Sequence, residues 1–407
     1  LFRSQKMRET NMPTNNPKSS EFNMKPISPL NLEDYYKEWK GEEHQVQRKG
    51  TITQKPLIHK DRKTLILSLI LLLSALAGNS TIGIFFLTID ETAPLIRAAW
   101  RLLYLVIFML PFAILDYRWN KHNMYVTLTP NSNCMKMILV ASFGQCLCTS
   151  CNSTSIQYTS IAHSETIRFA FPIIPVILRA LYGKTPSKLE KMAGLAIIVG
   201  GTILAFDNDF TTYKYVDLNN VGFFTRLIWG DLMAVFSGVG GVFFFTYYHK
   251  LIREMPIYLG TAYMSFASFI MVAIVSLIFG EANLGFNDEM GIFGGLAPKW
   301  LFIYILFTVI TGFGAFVSAP QAAQQFGSGL VTMIMSINPI ISIFLIKVLG
   351  WQGFPSALGT IGILLMLPGI MILSHLKGEE EQAENDLIPE IGDRTYSYYI
   401  SQVDERS

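Results

Sequence analysis

From about residue 65 the chain alternates between long apolar runs and short polar interruptions, and the runs set its architecture. Blocks of roughly 20 apolar residues, the length that crosses a hydrocarbon core as a helix, recur along it. The pattern predicts ten, at 65–88, 94–115, 136–158, 161–182, 189–206, 229–249, 257–279, 300–319, 322–348 and 355–375. The fifth is short, and the ninth is long enough to need tilt or a kink at Pro339. Residues 1–63 are polar, with prolines at 13, 17, 26 and 29 and no apolar run of the signal-peptide kind. They read as a disordered tail, in which Tyr35–Trp39 is either a short interfacial helix or more of the same tail. The chain starts at Leu1, so Met7, Met12 or Met24 are candidate true starts. The expectation is an all-α polytopic membrane protein.

Composition agrees. Charged residues are 15% of the chain, against about a quarter in soluble proteins. Hydrophobics are 51%, and mean hydropathy is +0.36. The net charge of +2 says little, because the charges lie almost entirely outside the apolar blocks. Their placement says more. Lys55, Lys60, Arg62 and Lys63 precede the first block, and Arg118/Lys121/Lys136, Lys184/Lys188/Lys191 and Lys250/Arg253 share its side. By the positive-inside rule both termini are then cytosolic. The other side holds Lys214, Arg226, Lys299 and Lys347, with most of the acidic residues, among them Asp207, Asp217 and Glu281.

The chain also repeats itself. FPIIPVILRALYG (171–183) aligns with NPIISIFLIKVLG (338–350), so that at one common offset Gln157 meets Gln324, Pro172 meets Pro339 and Gly183 meets Gly350. One residue of insertion later, Gly194 meets Gly362 and Gly201 meets Gly369. Five spans is an odd number, so two such halves enter the membrane in opposite senses, as inverted-repeat transporters do. The expected organisation is a tail (1–63), a first five-helix repeat (64–206), a non-cytosolic connection (207–228), a second repeat (229–375) and an acidic cytosolic tail (376–407).

SIAHSETIRFAFPIIPVIL (160–178) mixes charges with a membrane helix. If 160–168 were a loop, about 13 residues would remain before Gly183-Lys184, too few to cross. The charges therefore belong to the helix. Glu165, Arg168, Pro172, Pro175 and Arg179 share one face of a 3.6-residue wheel, opposite Ile167, Ala170, Ile174 and Ile177. His163 falls away from that face and reads as a bystander near the outer water interface.

A charge at the bilayer centre costs about 2.5–3.5 kcal/mol on insertion scales and faces protein or water. Glu165 and Arg168, one turn apart, can pair. Either they are a structural lock or they serve function. The second half places Thr332 and Met335 at the matching positions, so the same helix folds there without them. Arg179, near the cytosolic end, can snorkel.

Other polar groups can meet the same face: the Gly78–Gly83 cluster with Asn79, then Gln145, Asn152 and Gln157, then Gln321, Gln324 and Gln325, and Asn338 before Pro339. Tyr104, Tyr247 and Tyr263 are either cavity or packing aromatics. The fifth and tenth spans, apolar and glycine-bearing, read as packing or lipid-facing helices. Cys148-Thr-Ser-Cys151 has the spacing of a redox pair but lacks a βαβ context, and reads as small residues at a helix contact. Gly183-Lys184-Thr185 is a fragment of a phosphate loop whose first glycine would fall on Leu178. No cofactor is expected, and no metal-ligand or nucleophile–base set marks an enzyme.

PLIRAAWRLLYLVIF (94–108), YTSIAHSETIRFAFPIIPVI (158–177) and WGDLMAVFSGVGGVFFFTYYHKLIREMP (229–256) resemble the drug/metabolite transporter superfamily, and its EamA-like domain in particular. The resemblance covers about residues 65–375 and rests on the order of loose motifs. It implies alternating-access transport of small metabolites, with spans one to four and six to nine around a cavity and spans five and ten outside. It also places Arg101 at the family's second-span arginine and Asp231 at the start of the sixth span, where a helix cap is expected. Gly183-Lys184 and Gly350-Trp351 depart from the acidic residue many members carry there.

The expected function is a secondary transporter or exchanger of a small polar solute. Arg101 and Arg168, with Arg97 near the outer end, outnumber Glu165 and favour an anionic or zwitterionic one. Glu165 either couples transport to a proton or neutralises Arg168. The candidate binding residues are Arg168, Glu165, Arg101, Asn79, Gln157, Gln324 and Asn338. The partners are the solute and the bilayer, with no nucleic acid. The rival reading is a membrane receptor or scaffold that keeps the fold and does not transport.

Overall fold

The computed structural model describes residues 62–89, 92–120, 130–183, 185–207, 227–287, 290–326, 328–351 and 354–387. Tyr35–Trp39, the rest of the N-terminal tail, the bulk of the 207–228 connection and residues from 388 on lie outside the described residues. The described part is helical, and its chain order is α1 (Arg62–Ser80), α2 (Ile82–Thr88), α3 (Pro94–Asn120), α4 (Ser132–Tyr158), α5 (Ile161–Phe169), α6 (Ile173–Leu181) and α7 (Lys188–Ala205). After a wide π turn at Leu227–Asp231 come α8 (Leu232–Glu254) and α9 (Ile257–Ile278). Then follow α10 (Pro298–Thr308), a π-helical segment (Val309–Ser318), α11 (Ala319–Phe326), α12 (Ser328–Met335), α13 (Asn338–Val348) and α14 (Ala357–Leu387).

Eight stretches are long and apolar enough to cross a membrane, and α5 with α6, bent by 45°, make a ninth if counted as one span. The protein is an integral, multi-pass membrane protein. Its outside is apolar, with Leu67, Leu73, Leu110, Phe143, Leu195, Phe302 and Leu364 exposed, as lipid requires. Its inside holds small hydroxyls instead. Ser142 donates to the Met264 carbonyl at 2.9 Å and Ser153 to the Pro94 carbonyl at 2.7 Å, each tying two helices.

The long helices break where proline removes an N–H donor. Between α5 and α6 the i→i+3 bonds from Ala170 N to Ile167 O (3.1 Å) and Ile173 N to Ala170 O (3.1 Å) bridge the turn ahead of Pro172. Between α12 and α13 the bonds from Ile337 N to Ile334 O (3.1 Å) and Ile340 N to Ile337 O (3.0 Å) do the same around Pro339. Both helices then end on a left-handed glycine, Gly183 at φ 77° and Gly350 at φ 71°, the residue that adopts this C-terminal conformation without a Cβ clash.

Two boundaries differ from the sequence reading. The ninth block does not begin at 322, because the eighth span runs on to Ala323 and the ninth starts at Leu330. Pro320 sits in the first turn of α11, straight after the π-helical segment. There its missing N–H costs nothing, so it does not stop the helix. At the C-terminus α14 continues to Leu387, past the expected edge at 375.

Glycines set the helix crossings. A Cβ on Gly78 of α1 would lie 2.8 Å from Gly314 Cα, one on Gly144 of α4 2.8 Å from the Gly240 carbonyl of α8, and one on Gly200 of α7 2.7 Å from the Gly362 carbonyl of α14. Backbones therefore touch, which is how helices associate in lipid without a hydrophobic driving force. The main pairings are α1 with Val309–Ser318, α3 with α9, α4 with α8 and α9, and α14 with α7 and α12, while α5 packs on α8 and α13. Phe85, Phe86, Trp100, Tyr104, Trp300 and Tyr304 form an aromatic cluster at one end. There Trp100 Nε1 donates to the Gly291 carbonyl (2.8 Å) and the Tyr104 hydroxyl to the Gly295 carbonyl (2.9 Å), strapping the α9–α10 connection over the cluster.

Candidate functional site

Helix α5 positions the charged residues. Ser160 caps it, its hydroxyl accepting from His163 N at 3.1 Å, and all its residues but Ile167 are buried. Glu165 is fully buried and pairs with Arg168 across one turn. Gly83 of α2 allows this: a Cβ there would sit 3.2 Å from Glu165 Oε1 and 3.2 Å from Ile161. The Arg168 guanidinium lies 4.7 Å from the Phe169 ring centroid, and that of Arg101, on α3, lies 5.8 Å from the ring of Phe86. Arg101 is within electrostatic reach of Arg168, Glu165 and Cys148. The first four spans thus converge on a seat with two guanidiniums and one carboxylate. Glu165 Oε1 and Arg168 Nε make no hydrogen bond among the described residues. Such atoms are rare in a protein interior.

The other expected site residues divide. Asn338 is fully buried and accepts from the Ser80 hydroxyl (2.8 Å), while Ser342 donates to the Ser80 carbonyl (2.9 Å), which ties α13 to the end of α1. Asn338 Nδ2 and Gln157 Oε1 have no hydrogen-bond partner among the described residues. Asn79 donates back to Ala75 O at 3.1 Å and lines a cavity of about 80 Å³ with Phe169, His249, Thr332, Ser336 and Lys377. The Gln324 and Gln325 side chains lie outside the described residues. Arg168 and Glu165 do not line that cavity, but Phe169, on whose ring Arg168 rests, does.

The remaining polar and aromatic candidates have these partners. Arg97 is buried and donates to the Phe86 carbonyl at 2.7 Å, so it serves the fold. Arg179 pairs with Glu190, which also closes the capping box of α7 with Ser187. Gln145 accepts from Ser268 at 2.8 Å and Asn152 from Ser164 at 3.1 Å, both interhelical. Tyr104 stacks on Tyr304 at 4.9 Å. The four cysteines are free, and a Cβ on Gly240 would meet the backbone of Cys148, so Cys148-Thr-Ser-Cys151 is a helix contact.

The largest departure is His163. It is 3% exposed rather than at a water interface, with Nε2 3.4 Å from Asp207 Oδ2 and Nδ1 3.6 Å from Asp231 Oδ1. Asp231 makes no cap bond to its helix; its carboxylate accepts from the Thr159 hydroxyl at 3.1 Å instead. Ser356 donates to Asp207 Oδ1 at 2.7 Å. No periodicity signals this cluster. Its one trace in the sequence is a polar residue at the end of each of several otherwise apolar spans.

Residues 64–206, spanning α1 to α7, match the family model described as the EamA-like transporter family. No curated protein matches the chain. A solved structure described only as the crystal structure of a protein covers 77% of this chain and 98% of its own, at 14% identity and a TM-score of 0.46. That likeness decides nothing about function.

Proposed function

We propose that the chain, whose residues 64–206 match the EamA-like transporter family model, is a secondary transporter or exchanger of a small anionic or zwitterionic solute, working by alternating access. The observation that carries the reading is the seat of Arg101, Arg168 and Glu165, buried where four spans meet. Two guanidiniums against one carboxylate leave one positive charge in a medium that screens it poorly, which attracts a carboxylate or phosphate. Glu165 neutralises Arg168 in this arrangement. Asn79, Gln157 and Asn338 are the neutral polar groups assigned to the same site.

The architecture proposed with it is ten spans in two inverted repeats, 64–206 and 229–375. The helix α7 serves as the fifth span despite Lys188, Glu190 and Lys191 in its first turn. Three features favour it: the paired breaks at Pro172 and Pro339, the paired left-handed Gly183 and Gly350, and contacts in which the first and eighth spans pack as the sixth and third do. Both termini are cytosolic in this reading, on the Lys and Arg distribution. In this reading residues 1–63 form one tail, and the C-terminal one begins within α14, which stays helical to Leu387.

A scaffold that does not transport is favoured by one observation, the absence of the charged pair from the cavity lining. The purified protein separates the two readings by thermal stabilisation against a panel of carboxylates, phosphate esters, amino acids and cations. A ligand held 100-fold above its Kd stabilises by about 2.7 kcal/mol. The transporter reading expects a rise in melting temperature with one anionic or zwitterionic class, lost in Arg168→Gln. No rise with any class, and a variant that is merely less stable, would leave the scaffold.

A further inference from the structure

The cluster around His163 lies apart from the arginine seat in its partners and chemistry. It joins the start of α5 (His163), the residue after the C-cap of α7 (Asp207), the residue opening α8 (Asp231), the end of α4 (Thr159) and the approach to α14 (Ser356). The three ionisable side chains are almost out of solvent, at 4% for His163 and Asp207 and 11% for Asp231. Asp207 is pressed so closely on α14 that a Cβ on Gly359 would collide with its carboxylate.

The geometry specifies a protonation state. One carboxylate faces each ring nitrogen, Asp207 on the Nε2 side and Asp231 on the Nδ1 side. A neutral imidazole has one N–H and one lone pair, so it would turn the lone pair on a carboxylate. The imidazolium alone presents a donor to both. Charge argues the same way. The added proton offsets one of the two buried carboxylates that face the ring.

Asp207 and Asp231 are charged groups set against the ring from the packed elements, with Thr159 and Ser356 as neutral donors to those two carboxylates. We propose that His163, Asp207 and Asp231 form a proton-binding site whose protonated state clasps α4, α5, α7, α8 and α14 together at this end of the bundle. Loss of the proton sets two carboxylates against a neutral ring and loosens the clasp. The inference goes beyond the transport reading, since nothing in it depends on a solute.

The test is the melting temperature of the purified full-length protein, without solute, from about pH 5.5 to about pH 9, the range that spans histidine titration. The wild type is expected to melt lower as pH rises, with a slope of about one proton per molecule that vanishes in His163→Gln, which holds no proton. An unchanged slope in His163→Gln overturns the site. Where that variant fails to fold, Asp231→Asn serves instead. Removing one facing charge should move the loss of stability to lower pH, and an unmoved midpoint overturns the proposal equally.

Discussion

At the scale of single residues the seat depends on Gly83 as much as on the charges. Any side chain there meets Glu165 Oε1 and Ile161 at 3.2 Å. Neither can retreat easily, since both lie in the buried core around α5. Gly83→Ala is expected to destabilise the protein by about 1–3 kcal/mol, the usual cost of overpacking, and to abolish solute-induced stabilisation by displacing the carboxylate. A melting series of the variant with and without the best solute checks both. The charged residues of α5 were legible in the sequence because their spacing obeys a local helical period. His163 was not, because what gives it meaning is Asp207, 44 residues away, and Asp231. A wheel drawn on one helix sees neither.

At the scale of elements, the helix crossings are backbone contacts, and glycine is what permits them. Gly200 and Gly362 hold α7 and α14 together, and a side chain on Gly200 would enter the Gly362 carbonyl and Met366 at 2.7 Å. Gly200→Ile is therefore expected to lower the melting temperature of the detergent-solubilised protein and to cost about 1–3 kcal/mol, while Gly241→Ala, which meets nothing within 4 Å, is expected to be neutral. Eight of the apolar blocks, with α5 and α6 as a ninth, were legible because lipid imposes a length on them. The edge between the eighth and ninth spans was not. Pro320 lies in the first turn of α11, straight after a π-helical segment, and the helix runs on through it.

For the whole molecule, one end is closed by aromatic packing and by the α9–α10 connection strapped onto Trp100 and Tyr104. The cavity at Asn79 involves instead the segments carrying His249, Ala323 and Lys377. Trp100→Phe keeps most of the packing but removes the indole donor to Gly291, a loss of about 0.5–1.5 kcal/mol. Faster hydrogen exchange across residues 281–297, with exchange in α4 and α8 unchanged, is the expected result. Uniformly faster exchange would mean that the tryptophan supports the bundle and does not hold the strap.

What the sequence by itself determined is what short-range physics dictates. The bilayer's thickness sets the apolar runs, the helical period places Glu165 and Arg168 on one face, and the matched prolines and glycines set the paired breaks. What only the tertiary structure decided is which polar groups meet. Arg97 is held by a backbone carbonyl, Arg101 stands near Arg168, and an imidazole sits between carboxylates from two other helices. Those pairings depend on contacts between distant elements, and a pattern read along one dimension carries no record of them.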